Sequence, residues 1–73
     1  MVPVCAILLR EKPRRPWDVV SLATTRDVAR RSAEDLLAQE RRLNAAAQVI
    51  VVRIEDFDAG RLGRRIWSSL RKA

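Results

Sequence analysis

The sequence contains no histidine and a single cysteine, Cys5, so it lacks the residues on which most small catalytic and metal sites depend. One cysteine cannot form an intramolecular disulfide, and without histidine the most common general base and metal ligand is missing. Cys5 lies in an apolar run, which indicates a buried, reduced thiol rather than a nucleophile. We therefore expect a protein that is not an enzyme, with no catalytic residue, no bound metal and no cofactor.

Glycine and aromatic residues are also scarce. The two glycines, Gly60 and Gly63, fall inside a predicted helix, so the chain has no glycine-rich phosphate loop between a strand and a helix. The three aromatic residues are Trp17, Phe57 and Trp67, of which only Trp67 lies among the arginines, and the sequence shows no signature of an RNA-binding motif. Glu55, Asp56 and Asp58 form one acidic cluster, but we interpret Asp58 as a helix cap rather than as a magnesium ligand.

The length of 73 residues predicts a single domain, residues 1–73, with a small core. An apolar fraction of 48% is typical of a folded domain. The apolar stretch at residues 2–9 is too short to span a bilayer and has no preceding cation, so we expect no membrane association and a cytoplasmic location.

Residues 2–9, 17–23 and 48–54 are predicted to be strands because they are rich in β-branched and other apolar side chains. Residues 10–16 contain two prolines and four cations and are predicted to form a loop. A helix is predicted over residues 26–44, preceded by a capping-box pattern that begins at Thr24 and ends at Asp27. A last helix is predicted over residues 59–72, where Leu62, Ile66 and Leu70 recur every fourth position.

The predicted fold class is α/β of the α+β kind, a small three-stranded mixed sheet in β-β-α-β-α order with two helices on one face. The first two strands are expected to form a hairpin, and the first helix to connect the second and third strands in parallel. The side chains expected to be almost wholly buried are Ile7, Leu36, Val49, Val51, Ile66 and Leu70. Helices on one face would leave the other apolar face bare, which favours a homo-oligomer.

The net charge of +6 is concentrated in two segments. Residues 61–73 carry five cations and no acid, and the loop at residues 10–16 carries four cations and one acid. Cations near the start of a helix oppose its dipole, so Arg61, Arg64 and Arg65 are not explained by helix stability. The candidate binding residues for nucleic acid or an acidic partner are Arg14, Arg15, Arg61, Arg64, Arg65, Arg71 and Lys72, and Trp67 is a candidate interface residue.

Two functions remain open. The first is binding of nucleic acid, RNA or DNA, through the arginine-rich last helix and the loop, because cations that neutralise phosphates release counterions. The alternative is a protein-interaction or homo-oligomeric adaptor module whose basic patches meet an acidic protein. Steep salt dependence of binding would favour the first function. Nuclease-insensitive capture of an acidic protein would favour the second.

Overall fold

Four strands and one helix make up the part of the protein that the structure, a computed structural model, describes, which is residues 2–55 and 65–68. The elements are β1 (Cys5–Arg10), β2 (Asp18–Ala23), α1 (Arg26–Leu43), β3 (Gln48–Arg53) and β4 (Arg65–Ser68). The strands form one sheet in the order β2-β1-β3-β4, in which all neighbours are antiparallel. The protein is therefore a small α+β fold.

The predicted α+β class is confirmed, but the predicted details of three strands and two helices differ, because residues 65–68 form a strand within the span predicted as the last helix. β4 pairs with β3, with Trp67 opposite Val51 and Ser68 opposite Ile50. The side chain of Trp67 is half-buried against the core. Residues 65–68 are extended because they pair with the edge of β3 and because Trp67 packs over the apolar surface at Val51. The local spacing of apolar residues in the sequence indicates neither contact. The rest of that predicted helix and its cap at Asp58 lie outside the described residues.

The mixed sheet was also predicted wrongly. β2 and β3 run in the same direction and are joined through α1, as expected, but β1 lies between them and pairs antiparallel with both. β1 is apolar along most of its length, and the central position buries Cys5, Ala6, Ile7 and Leu8 on both faces of the sheet. The hairpin of β1 and β2 is confirmed.

Helix α1 begins at Arg26, as predicted, but its N-cap lies one residue later than the capping pattern indicates. The N-cap is Thr25, not Thr24, and its hydroxyl accepts a hydrogen bond of 3.2 Å from the N–H of Val28. Asp27 therefore lies in the first turn, where its charge suits the helix dipole. The helix packs on the sheet through Ala29 and Ala33, which are fully buried. These small residues let the helix approach the strands closely.

The sheet has a buried cluster on each face. On the helix side, Ile7, Val49 and Val51 are buried as predicted, whereas Leu36 is only half-buried. The side chains of Ile66 and Leu70 lie outside the description. On the opposite side, which we call the second face, a cluster of four side chains is 0 to 1% exposed: Ala6, Leu8, Ile50 and Val52. The centre of the second face is thus buried within one chain. We expected a homo-oligomer because this apolar face would be bare, and that reason no longer applies.

A β-bulge in β2 changes the faces on which its side chains lie. Ser21 pairs with Ile7 and Val19 pairs with Leu8, so Val20 is an extra residue between two paired positions. Val19 and Leu22 consequently lie on the second face together, although residues three apart in a regular strand face opposite sides. A regular alternation would place Val19 on the side of Ala23, and the bulge is the reason that it does not lie there.

Candidate nucleic-acid interface

The loop between β1 and β2 carries three exposed cations, Lys12, Arg14 and Arg15. Pro13 and Pro16 have no N–H to donate to a strand neighbour, so the chain leaves the sheet here. The N–H of Arg15 donates to the carbonyl oxygen of Lys12 over 3.3 Å and closes a tight turn. Arg14 has a φ of 72°, a left-handed conformation that is uncommon for any residue other than glycine.

Arg10 attaches both ends of this loop to the sheet. Its guanidinium carbon lies 4.2 Å from the centroid of the Trp17 ring, and its Nε donates to Oε1 of Gln48 over 2.5 Å. Trp17 in turn packs against the buried cluster of the second face. The residues before and after the loop are therefore anchored to each other and to β3.

Asn44 attaches the loop to the end of α1. Its Nδ2 donates to the carbonyl oxygen of Glu11 over 2.8 Å, while its Oδ1 accepts from the N–H of Ala46 over 3.1 Å. Its own N–H donates to the carbonyl oxygen of Glu40 and so continues the helical pattern of hydrogen bonds to the C-cap. One side chain thus holds the helix end, the following turn and the basic loop together.

The last turn of α1 adds two more exposed cations, Arg41 and Arg42, at the helix end that the hydrogen bond from Asn44 to Glu11 joins to the loop. Nε of Arg41 lies 3.4 Å from the carbonyl oxygen of Ala47, which directs this side chain along the connection to β3. Cations at a helix C-terminus are favoured by its dipole. We call this group the basic end, made up of Lys12, Arg14, Arg15, Arg41 and Arg42.

Acids neutralise the basic end only in part. Glu11, Asp18 and Glu40 are the acids near it in the chain and in the strand pairing. Within the described part of the chain, the two ion pairs are Arg30 with Glu34 and Arg53 with Glu55, and neither includes a cation of the basic end. The basic end therefore keeps a positive surplus.

The structure brings together only some of the residues predicted to bind. Arg14 and Arg15 lie in the loop and are exposed. Arg65 begins β4 opposite Val52, so it does not belong to a basic helix face. Trp67 is half-buried on the helix side of the sheet, and its role at an interface stays a prediction. The other predicted residues lie outside the described residues: Arg61, Arg64, Arg71 and Lys72.

Arg41 and Arg42 were missed in the sequence, where they lie on a helix face on which acids and arginines balance. The order and direction of the predicted elements indicate where these two arginines lie. β1 runs toward the loop, β2 returns, and α1 runs back, so the C-terminal turn of the helix comes to the same end of the fold as the loop.

Cys5 is fully buried in the core, and this burial raises the pKa of its thiol, while the more weakly acting charges of Arg26 and Arg53 lower it. A thiol with a raised pKa is protonated at neutral pH and is a poor nucleophile. Among the described residues, no group of three or more acidic or cysteine side chains could hold a metal ion.

Helix α1 leaves the edge of the sheet uncovered, which forms a groove of about 310 Å³ between α1 and β2. Its floor is apolar, with Ile7, Val20 and Leu36, and Asp35 is the charged side chain at its rim among the described residues. The groove differs in charge from the basic end and is separate from it.

Comparison with protein-family models, with curated proteins and with solved structures finds no match to this chain. No helix in residues 2–55 or 65–68 combines the length and the apolar character needed to cross a membrane.

Proposed function

We propose that this protein is a non-enzymatic, cytoplasmic protein that binds nucleic acid, RNA or DNA, through the phosphate backbone at the basic end. The observation that carries the proposal is the hydrogen bond from Asn44 to the carbonyl oxygen of Glu11. It holds the cations of the loop beside those of the helix end, so two groups that are distant in the sequence act on one stretch of phosphates.

Arginine suits this role because its planar guanidinium group donates two parallel hydrogen bonds to a phosphate. Anchoring by Arg10 and Asn44 reduces the conformational entropy that the loop would lose on binding. Arg10 lies over one side of the Trp17 ring, and the ring also packs on the second face, so Trp17 is not presented for base stacking. These features favour contact with phosphates over the reading of bases.

The cations of residues 61–73 are the second part of the proposal. Arg61, Arg64, Arg65, Arg71 and Lys72 remain candidate contacts, although β4 at residues 65–68 interrupts the single helix predicted over residues 59–72. Because residues 61–73 contain no acid, they would add to the electrostatic attraction whatever their conformation.

The test is binding to generic single-stranded RNA and duplex DNA over a range of salt concentrations. For duplex DNA, the slope of log K against log salt has a magnitude of about 0.9 for each phosphate that the protein neutralises. We expect Arg14→Gln/Arg15→Gln to reduce this magnitude by about 1.8 and to weaken binding at every salt concentration. The matched control is Arg30→Gln/Arg31→Gln, which removes the same charge from exposed positions far from the helix end.

The proposal fails if no binding is measured at low ionic strength, or if the two double variants lose affinity equally. Equal loss would mean that net charge, and not the basic end, attracts the polymer.

The alternative is a protein-interaction or homo-oligomeric adaptor module. It is favoured by one observation, the exposed apolar side chains of the edge strand β2. In this case the basic end would meet an acidic protein, and capture of that protein would survive nuclease treatment.

A further inference from the structure

Strand β2 forms an edge of the described sheet and is unusually apolar for that position. Val19, Val20 and Leu22 are 43%, 45% and 54% exposed, and Asp18 is the only charged residue in the strand. Exposed edge strands normally carry proline or charged residues such as lysine, which prevent pairing with another chain. In this chain a third of all residues are charged, so their near absence from β2 sets this edge apart.

The bulge at Val20 makes this edge complementary to itself. Because Val19 and Leu22 both lie on the second face, an antiparallel pairing can place Val19 of each copy opposite Leu22 of the other. In a regular strand these residues would face opposite sides, and such a pair could not form. The same register places Val20 opposite Ser21, and both of these residues line the groove on the helix side.

We propose that β2 is a dimerisation edge, at which a second copy of this chain pairs antiparallel in this register. The two sheets then join into one continuous sheet with both helices on the same side. Each Val19 packs against Leu22 of the second copy, and this apolar pair occurs twice.

Charge complementarity supports a second copy as the occupant. The register places Asp18 opposite Ala23 of the second copy, three residues before Arg26 of that copy. Asp18 pairs with Leu9 in its own sheet, and Leu9 packs in the helix-side cluster, so Asp18 lies on the helix side of the sheet. Arg26 begins α1 on the same side and is exposed. Asp18 of each copy therefore comes close to Arg26 of the other.

The same arrangement also limits repulsion between two chains that each carry a charge of +6. Antiparallel pairing places the basic end of one copy beside the opposite end of the other copy. The two basic ends therefore lie at opposite ends of the paired strands. At physiological ionic strength, salt largely screens exposed charges that are more than about 8 Å apart, so the two basic ends repel each other little.

The first test is the mass of the protein in solution, by sedimentation equilibrium over a range of concentrations in physiological salt. We expect twice the 8.3 kDa of one chain. Val19→Lys and Leu22→Lys each introduce a cation into both apolar pairs, and each should weaken dimerisation by about tenfold or more. Leu43→Lys is the matched control, because Leu43 is 92% exposed at the end of α1 and should dimerise like the original chain.

The second test exchanges the charges. Asp18→Arg and Arg26→Asp should each weaken dimerisation, and the double variant should restore it. This series decides the question if the lysine variants fail to fold. A mass of one chain at all concentrations, a dimer that tolerates both lysines, or a double exchange that restores nothing would overturn the proposal.

Dimerisation at β2 does not depend on the proposed function. Arg14→Gln/Arg15→Gln should leave the mass unchanged, and nucleic-acid binding by a monomeric protein would overturn the dimer alone.

Discussion

The guanidinium group of Arg10 lies over the ring of Trp17, with its carbon 4.2 Å from the ring centroid. These residues flank the basic loop, one at the end of β1 and the other just before β2. Nε of Arg10 also donates to Gln48 at the start of β3. Arg10 is therefore a structural cation, whereas the arginines within the loop have no such contact in the described part of the chain.

Replacement of Arg10 should destabilise the fold through two interactions. Arg10→Ala removes a cation–π contact worth about 0.5–1 kcal/mol and a hydrogen bond worth about 1 kcal/mol. Gln48→Ala removes only the hydrogen bond and serves as the control. Urea unfolding should show a larger loss of free energy for Arg10→Ala. Equal losses would mean that the ring contact contributes nothing.

The left-handed conformation of Arg14 predicts opposite effects of one substitution on stability and binding. A residue with a Cβ costs about 1–2 kcal/mol at such a position, and glycine relieves this strain. Arg14→Gly should therefore keep or raise the unfolding free energy, as measured in urea, while it weakens binding to nucleic acid. Arg15→Gly, as a control without strain to relieve, should weaken binding and also lower stability. A loss of stability in Arg14→Gly would contradict this account.

The hydrogen bond from Asn44 to Glu11 should matter more for binding than for folding. Asn44→Ser keeps an acceptor for the N–H of Ala46, but its hydroxyl group is too short to reach the loop. We expect a loss of about 1 kcal/mol in unfolding free energy, together with weaker binding to duplex DNA at low salt. Hydrogen exchange of the loop amides should become faster. Unchanged affinity would show that the loop does not need this attachment.

The two buried clusters predict a clear order of core substitutions. Ile50 is fully buried on the second face, whereas Leu36 is half-buried at the groove. Ile50→Ala should cost about 2–5 kcal/mol, a large share of the stability of a domain of this size. Leu36→Ala should cost less, because little cavity forms at a partly exposed site. Thermal unfolding of both variants tests this order, and the reverse order would show that the helix-side cluster dominates the core.

Cys5 should make stability depend on pH at the alkaline end. Burial raises the pKa of the thiol in the folded protein, so above the usual thiol pKa of about 8.5 the unfolded chain loses its proton first. The contribution of Cys5 to stability is therefore complete at neutral pH. It is lost as the pH rises from about 8.5 toward the raised pKa of the folded state. Urea unfolding at pH 7 and pH 10 should show a smaller loss of stability in Cys5→Ala than in the original chain.

The elements with strong local patterns were predicted from the sequence almost to the residue. β3 was predicted at residues 48–54 and spans Gln48–Arg53, because four consecutive β-branched residues disfavour a helix. Helix α1 was predicted at residues 26–44 and spans Arg26–Leu43, where apolar residues recur at helical spacing. The loop was predicted from its prolines. In these segments neighbouring residues determine the conformation.

Tertiary structure decided what depends on distant partners. Residues 65–68 lie in a span where Leu62, Ile66 and Leu70 recur at helical spacing, but pairing with β3 and the packing of Trp67 favour a strand. The bulge in β2 follows from its register with β1, and the basic end exists because the topology brings Arg41 and Arg42 to the loop. The sequence by itself determined the charge, the apolar segments and the turns, since these follow from local chemistry. Only the tertiary structure decided which strand pairs with which and which cations share a surface, because both depend on contacts between residues far apart in the chain.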